Sequence, residues 1–231
     1  MEALWDGLRE AVRLIVTGDA TLYEIAWRTV VVSGTATLLA MAAGVPLGYA
    51  LARGRFRGRT ILLGAINTGM GMPPVVVGLV VWLMLVRSGP FGGLELIYTK
   101  QAMVIAQFVI ALPLVVAFTS AAVQALPREL PDLLAVLGAG RIRRLWLIAK
   151  EAQLGVLAAI MAGFGGVASE VGASMTVGGN IAGDTRVLTT AIVTETSRGQ
   201  HASAMAYGIV LLVLAFTVNL ALTAIQQRRA R

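Results

Sequence analysis

ALPRELPDLLAVLGAGRIRRLWLIAKEA, residues 125–152, is the stretch on which the reading of this chain turns. Leu133, Leu134, Val136 and Leu137 precede Gly138-Ala139-Gly140, and Ile142, Leu145, Trp146 and Ile148 follow. Two short amphipathic helices joined by a glycine turn account for the pattern. On each side stands a run apolar enough to enter a membrane, about 102–123 before it and 154–171 after it. A helical hairpin that leaves a membrane with apolar residues on it must be covered, either by a partner or by the spans themselves.

Composition supports the membrane. The chain has 231 residues, 57% hydrophobic and 13% charged, whereas soluble domains carry roughly 25% charge. Further apolar runs stand at about 25–51, 61–86 and 205–225, and about 20 apolar residues span a bilayer as helix. The fold class is all-α integral membrane, with five core spans in a transmembrane domain over residues 23–227. Residues 1–22 are expected to form a separate N-terminal interfacial helix, the alternative being a frayed polar terminus. Trp5, Leu8, Val12 and Ile15 recur there at helical spacing, and Asp6, Arg9, Glu10 and Arg13 take the other faces. The opening MEALWDGLRE lacks the basic-then-apolar order of a cleavable signal, so the first span is expected to act as its own insertion signal. Cysteine is absent and histidine is single, which leaves no disulfide and no expected metal site.

The net charge of +7 reads as topology rather than as nucleic-acid binding. Twelve basic residues fall at Arg53, Arg55, Arg57, Arg59, within 125–152, and at the C-terminus. Seven fall on the other side: Arg9, Arg13, Arg28, Arg87, Lys100, Arg186 and Arg198. Basic residues collect on the cytoplasmic side, so the N-terminus is expected outside and the C-terminus inside, in a multi-pass protein.

Two interruptions are candidate pathway or gate elements. Pro73 and Pro74 break the second run; the reading is either a broken helix beside a pathway or a packing kink. Residues 170–200 contain EVGASMTVGGNIAGDTRVLTTAIVTETSRG, too polar to span and too apolar for a solvated loop. Thr176, Asn180, Thr189 and Thr190 supply neutral hydrogen-bonding groups there. Arg186 supplies a charge that attracts an anion. Glu170 is expected to end the fourth span on the outer side and either pair with Arg186 or position the glycine loop. Asp184 or Thr185 is expected to cap a short helix running to Ser197, with Gly199 as its stop. Val187, Leu188, Ala191 and Ile192 would form its apolar face.

The 125–152 segment resembles the coupling loop of the membrane subunits of type I ATP-binding-cassette importers, whose pattern is Glu-Ala-Ala, three residues, Gly, nine residues, Ile-x-Leu-Pro. Asp132-Leu133-Leu134 stand at its start, Gly138-Ala139 match its Gly-Ala, and Leu145 and Ile148 fill its apolar positions. Lys150-Glu151 replace its Leu-Pro, so both ends depart from the pattern. Met72-Pro73-Pro74-Val75-Val76-Val77-Gly78 and Ile110-Ala111-Leu112-Pro113-Leu114 resemble the molybdate, sulfate and tungstate permeases. SEVGASMTVGGNI and TRVLTTAIVTETSRG resemble the tungstate type more than the molybdate type, and the resemblance covers about residues 25–225.

The resemblance implies the type I importer transmembrane fold, a multi-pass place in the cytoplasmic membrane of a prokaryote, a homodimer with a second copy of the chain, a pathway at the dimer interface, ABC ATPase subunits docked on residues 125–152, and an external substrate-binding protein. Asp132, Leu133, Leu134, Gly138, Ala139, Arg141 and Leu145 become the candidate ATPase-coupling residues; Arg141 is equally suited to lipid headgroups. The cargo implied is an oxyanion, tungstate foremost, with molybdate or sulfate as the alternative. The chain itself has no P-loop, because Lys100 precedes Gln101, Lys150 precedes Glu151, and neither sits in a glycine loop. It is therefore expected to be no enzyme and to bind no cofactor, ATP and Mg being used by the partner ATPase. An intramembrane enzyme would need a base and nucleophile, and His201 has no serine partner in a span. A membrane scaffold would need neither the broken helix nor the glycine-threonine loop.

Overall fold

The computed structural model describes residues 2–54 and 56–230. Arg55 and Arg231 of the charge tally lie outside the described residues, as do the side chains of Arg228 and Arg229. The described residues form helices joined by short loops: α1 (Glu2–Val16), α2 (Ala20–Arg53), α3 (Arg59–Met70), α4 (Pro74–Leu85), α5 (Lys100–Gln124), α6 (Leu130–Val136), α7 (Arg141–Glu151), α8 (Gln153–Ala168), α9 (Gly172–Gly178), α10 (Leu188–Ser197) and α11 (His201–Ala230).

Among the described residues three helices are long and apolar enough to cross a membrane unbroken: α2, α5, and α11 over His201–Gln227. Two bent pairs bring the count to the five expected if each contributes one crossing. α3 and α4 meet at 104°, and α7 and α8 at 80°. The expected single run 61–86 is thus two 12-residue helices, each about 18 Å long. The prolines cause the break. Pro73 caps α4 and Pro74 opens it, a place where the missing N–H costs no intrahelical bond. α3 has no buried residue in the single chain.

α2 and α5 form the central pair, and small residues set their closeness. Gly44 and Gly48 stand one turn apart on α2. A Cβ at Gly44 would stand 2.8 Å from a Val115 methyl carbon, and one at Gly48 would stand 2.8 Å from both the Val116 carbonyl oxygen and the Thr119 Cβ. Helix pairs in lipid gain their attraction from such close approach, because lipid tails offer no hydrophobic driving force. Val32, Val77, Val81, Met103, Ala106, Ala173 and Val177 build a second core from α2, α4, α5 and α9.

The N-terminal helix forms as expected, but it packs on the transmembrane body. Gly7 lies against Met205 of α11 so closely that any side chain there would collide. Ala11 is fully buried, and Leu14 joins the cluster of Leu22, Ile25, Leu188 and Ala191. Trp5, Leu8, Val12 and Ile15, the apolar stripe seen in the sequence, remain exposed, Trp5 and Leu8 lining a groove shared with Ile192 of α10 and Met205 of α11.

Polar contacts define the two ends. At one, Arg28 of α2 and Lys100 of α5 meet the loop 179–187. At the other, Arg53 of α2 meets the start of the 125–152 segment. The 170–200 region and the α6–α7 hairpin therefore lie at opposite ends of the parallel pair α2 and α5.

Candidate functional site

The hairpin end is built from α6 and α7. Leu130 and Leu134 of α6 pack on Val123, Ile148 and Ala152, which anchors the helix to the body. Its other face is free: Leu133, Val136 and Leu137 are exposed, Val136 at 86%. Asp132 and Gly138 are exposed beside them, and Ala139 and Leu145 are half-buried. Gly138 turns the chain with φ +78°, a left-handed conformation open to glycine and strained for most other residues. The turn closes α6 by hydrogen bonds from Gly138 N to Ala135 O and from Ala139 N to Leu134 O, the pattern that satisfies a helix's last carbonyls. Asp132, Leu133, Leu134, Gly138, Ala139, Arg141 and Leu145 are thus brought together on one hairpin, although Leu134 turns inward.

Arg53 fastens this hairpin to the spans. Its Nη2 donates to the carbonyls of Val123, Leu126 and Pro127 at 2.9–3.0 Å. A guanidinium at the carbonyl end of α5 also opposes the helix dipole favourably. Arg59 Nε donates to Leu51 O across the same corner.

The other end is built from residues 170–200. α8 stops at Ala168, and α9, which the sequence reading treated as part of a loop, follows. Glu170 starts it: its Oε1 accepts from Ala173 N at 2.9 Å. Gly172 lies against Val75, and Ala173 against Gly78, so α9 rises beside α4 from the level of the proline break. Glu170 therefore sits beside Pro74-Val75, one α9 length below the outer loop, about 10 Å. It does not pair with Arg186. Thr176 Oγ1 donates within α9 to Gly172 O. Ser174 Oγ accepts from Gln107 Nε2 of α5 in a fully buried contact.

After α9 the chain turns at Gly179, Asn180 and Gly183, all with positive φ. Nearly every polar group in the turn is used inside the protein. Asn180 Nδ2 donates to Thr194 Oγ1 at 2.7 Å, and its Oδ1 accepts from Arg186 Nε at 3.2 Å. Buried Thr185 accepts from Ile181 N and donates to Gly178 O. Asp184 pairs with Lys100 at 3.3 Å. Neither Asp184 nor Thr185 caps the next helix. That helix, α10, starts at Leu188 after extended Val187, whose N–H donates to Thr190 Oγ1. Thr189 Oγ1 reaches back to Glu170 O. Gly199, with φ +74°, stops α10 as expected.

Arg28, like Arg53 at the other end, has a role that the sequence reading missed. It is 8% exposed, and Nη1 and Nη2 donate to the carbonyls of Arg186 and Gly183, both at 2.8 Å. Its neighbour Thr29 accepts from Leu188 N. The signal was present, since an arginine inside an apolar run is a functional candidate by default, but it entered only the charge tally.

This architecture is a known one. Residues 44–231 match the family of the binding-protein-dependent transport system inner membrane component. The chain belongs to that family. It is 37% identical to the tungstate uptake system permease protein TupB of Peptoclostridium acidaminophilum, across 98% of this chain and all of that one. It is 39% identical to a probable anion ABC transporter permease protein of Haloferax volcanii, across 89% of this chain and 92% of the relative. The molybdenum transport system permease protein ModB of Escherichia coli K12 is 28% identical over 86% of this chain and 92% of its own. In fold, this inner membrane component resembles a chain from inward-facing conformations of the MetNI methionine ABC transporter, with a TM-score of 0.72 at 18% identity over 91% of this chain and 97% of that one.

Proposed function

We propose that this inner membrane component is the permease of an ATP-binding-cassette importer for tungstate. The observation that carries the reading is the 37% identity, along nearly the whole chain, with a tungstate uptake permease. The molybdenum permeases are similar over 69–86% of the chain at 28–34% identity; they favour molybdate as the second reading.

The exposed face of α6 is the surface on which a separate ATPase subunit docks. α2 then acts as a strut. Arg53 grips the base of the docking hairpin, and Arg28 grips the outer loop. They stand 25 residues apart on one helix, about 37 Å. Closure of the ATPase pair on ATP shifts α6, the shift passes through Arg53 to α2 and α5, and the outer loop moves with them. ATP drives this cycle only through its unequal affinity for the two states. Two copies of the chain enclose the pathway, and a binding protein delivers the anion to the outer face. The threonines and Asn180 act as fasteners of the outer loop rather than as ligands, because their side chains bond inside the protein.

Titration of the cognate binding protein tests the cargo. Tungstate is expected to bind more tightly than molybdate, and sulfate more weakly than both; a protein that binds an amino acid or a sugar contradicts the reading. Orientation is tested separately. The chain lacks cysteine, so single-cysteine variants are clean probes. Ala182→Cys, at an exposed loop position, is expected to react with an impermeant maleimide on intact cells. Gly140→Cys, also exposed, is expected to react only after permeabilisation. The reverse pattern would overturn the N-out assignment.

A further inference from the structure

At the elbow between α7 and α8 lies a groove of about 700 Å³, walled by Met41, Ala149, Val156, Leu157 and Ile160. Exposed Trp146 and Lys150 and half-buried Gln153 complete its lining. The 80° bend decides how the groove sits in the membrane. With α8 crossing the bilayer, α7 lies nearly in its plane. α7 carries Arg141, Arg143, Arg144 and Lys150, with Ile142 and Trp146 exposed, the composition of a helix held at an anionic membrane surface. From Gln153 to Ile160 the apolar wall runs about 10 Å into the bilayer, against a leaflet of hydrocarbon about 15 Å deep.

We infer that this elbow is a binding site for an anionic glycerophospholipid, with one acyl chain against Val156, Leu157, Ile160 and Met41 and the phosphate at Lys150. Charge complementarity names the occupant. The Lys150 ammonium has no carboxylate partner among the described residues and lies 5.3 Å from the centre of the Trp146 ring, which fixes it at the mouth of an apolar slot. Tryptophan at that level is an interfacial anchor, and a basic rim over an apolar cleft between spans is the geometry that holds an anionic headgroup. A free phosphate would leave the slot empty; a zwitterionic lipid can also set its phosphate at Lys150 but brings its own ammonium to a helix that already carries Arg141, Arg143, Arg144 and Lys150, whereas an anionic lipid brings the phosphate without that repulsion. The bound lipid would brace the elbow on which the docking hairpin stands. The inference rests on the membrane placement of α8, not on the cargo, so it stands or falls separately from the tungstate reading.

Trp146 supplies the readout. The purified full-length chain is reconstituted with phosphatidylglycerol or phosphatidylcholine brominated on the acyl chain. The Trp146→Phe variant isolates the signal of that residue from the other three tryptophans. Brominated phosphatidylglycerol is expected to quench Trp146 selectively. Lys150→Gln is expected to weaken that preference about fivefold, and Lys150→Arg to retain it. A general loss of fold would not spare the arginine variant. Equal quenching by both lipids, a preference unchanged in Lys150→Gln, or displacement by soluble inorganic phosphate would each overturn the assignment.

Discussion

Replacement of Arg28 by methionine is expected to be among the most damaging single changes outside the docking hairpin. The guanidinium satisfies two loop carbonyls, Gly183 O and Arg186 O, at 2.8 Å each. Hydrogen bonds to charged groups contribute about 1.5–3 kcal/mol, and stripping the donor leaves partly buried acceptors without a partner. A loss of about 2–4 kcal/mol follows, on the lower side if water reaches the carbonyls. The consequence extends to function because Arg28 connects the loop to α2. Transport is expected to fall more steeply than ATP hydrolysis, since the ATPase end of α2 is untouched. Arg28→Lys keeps the charge but not the two-pronged geometry, and an intermediate result is expected. Thermal unfolding in detergent, with paired transport and hydrolysis rates, reads both effects. A methionine variant as stable and as coupled as the parent would remove Arg28 from the account.

The second large effect is at the opposite end. Gly138→Trp is expected to abolish co-purification with the ATPase while leaving the fold intact. Gly138 is exposed, and a Cβ there would meet nothing within 4 Å. The cost is local: φ of +78° penalises a side chain by about 1–2 kcal/mol. The turn between α6 and α7 would reshape, and the tryptophan would stand on the docking surface. Gly138→Asn tolerates the left-handed conformation better and is expected to keep most of the binding. Pull-down of the ATPase, alongside an unchanged unfolding temperature of the permease alone, separates docking from misfolding. Full binding by the tryptophan variant would mean that α6 is not the docking helix.

The contrast between these two positions shows what could be read from the sequence. The five apolar runs, the hairpin at 125–152 and its glycine turn were legible because period and composition are local properties. Gly138 is where the turn was expected, and α6 exposes Leu133, Val136 and Leu137 as an unpartnered hairpin should. Direction was not legible. Pro73-Pro74 signalled a break, but the 104° between α3 and α4 depends on what each half packs against. α9 was missed because GASMTVG has weak intrinsic helicity, with glycine at both ends and β-branched residues inside. It is helical through the Glu170 carboxylate on Ala173 N and its burial against α4. The start of α10 was misplaced for a related reason. Asp184 and Thr185 are good capping residues, but Lys100 and the carbonyl of Gly178 claim them first. Those partners are 84 and 7 residues away. The roles of Arg28 and Arg53 were hidden in the same way, because both grip carbonyls supplied by distant segments.

The central claim is that an ATPase drives an oxyanion through this permease, and ATP hydrolysis by the full complex tests it most directly. The permease is reconstituted in liposomes with its ATPase and its binding protein, and hydrolysis is followed as solutes are added outside. Tungstate is expected to stimulate hydrolysis, molybdate less so, and stimulation is expected to vanish without the binding protein. Stimulation by an amino acid or a sugar alone, with no response to tungstate or any related oxyanion, would contradict the account.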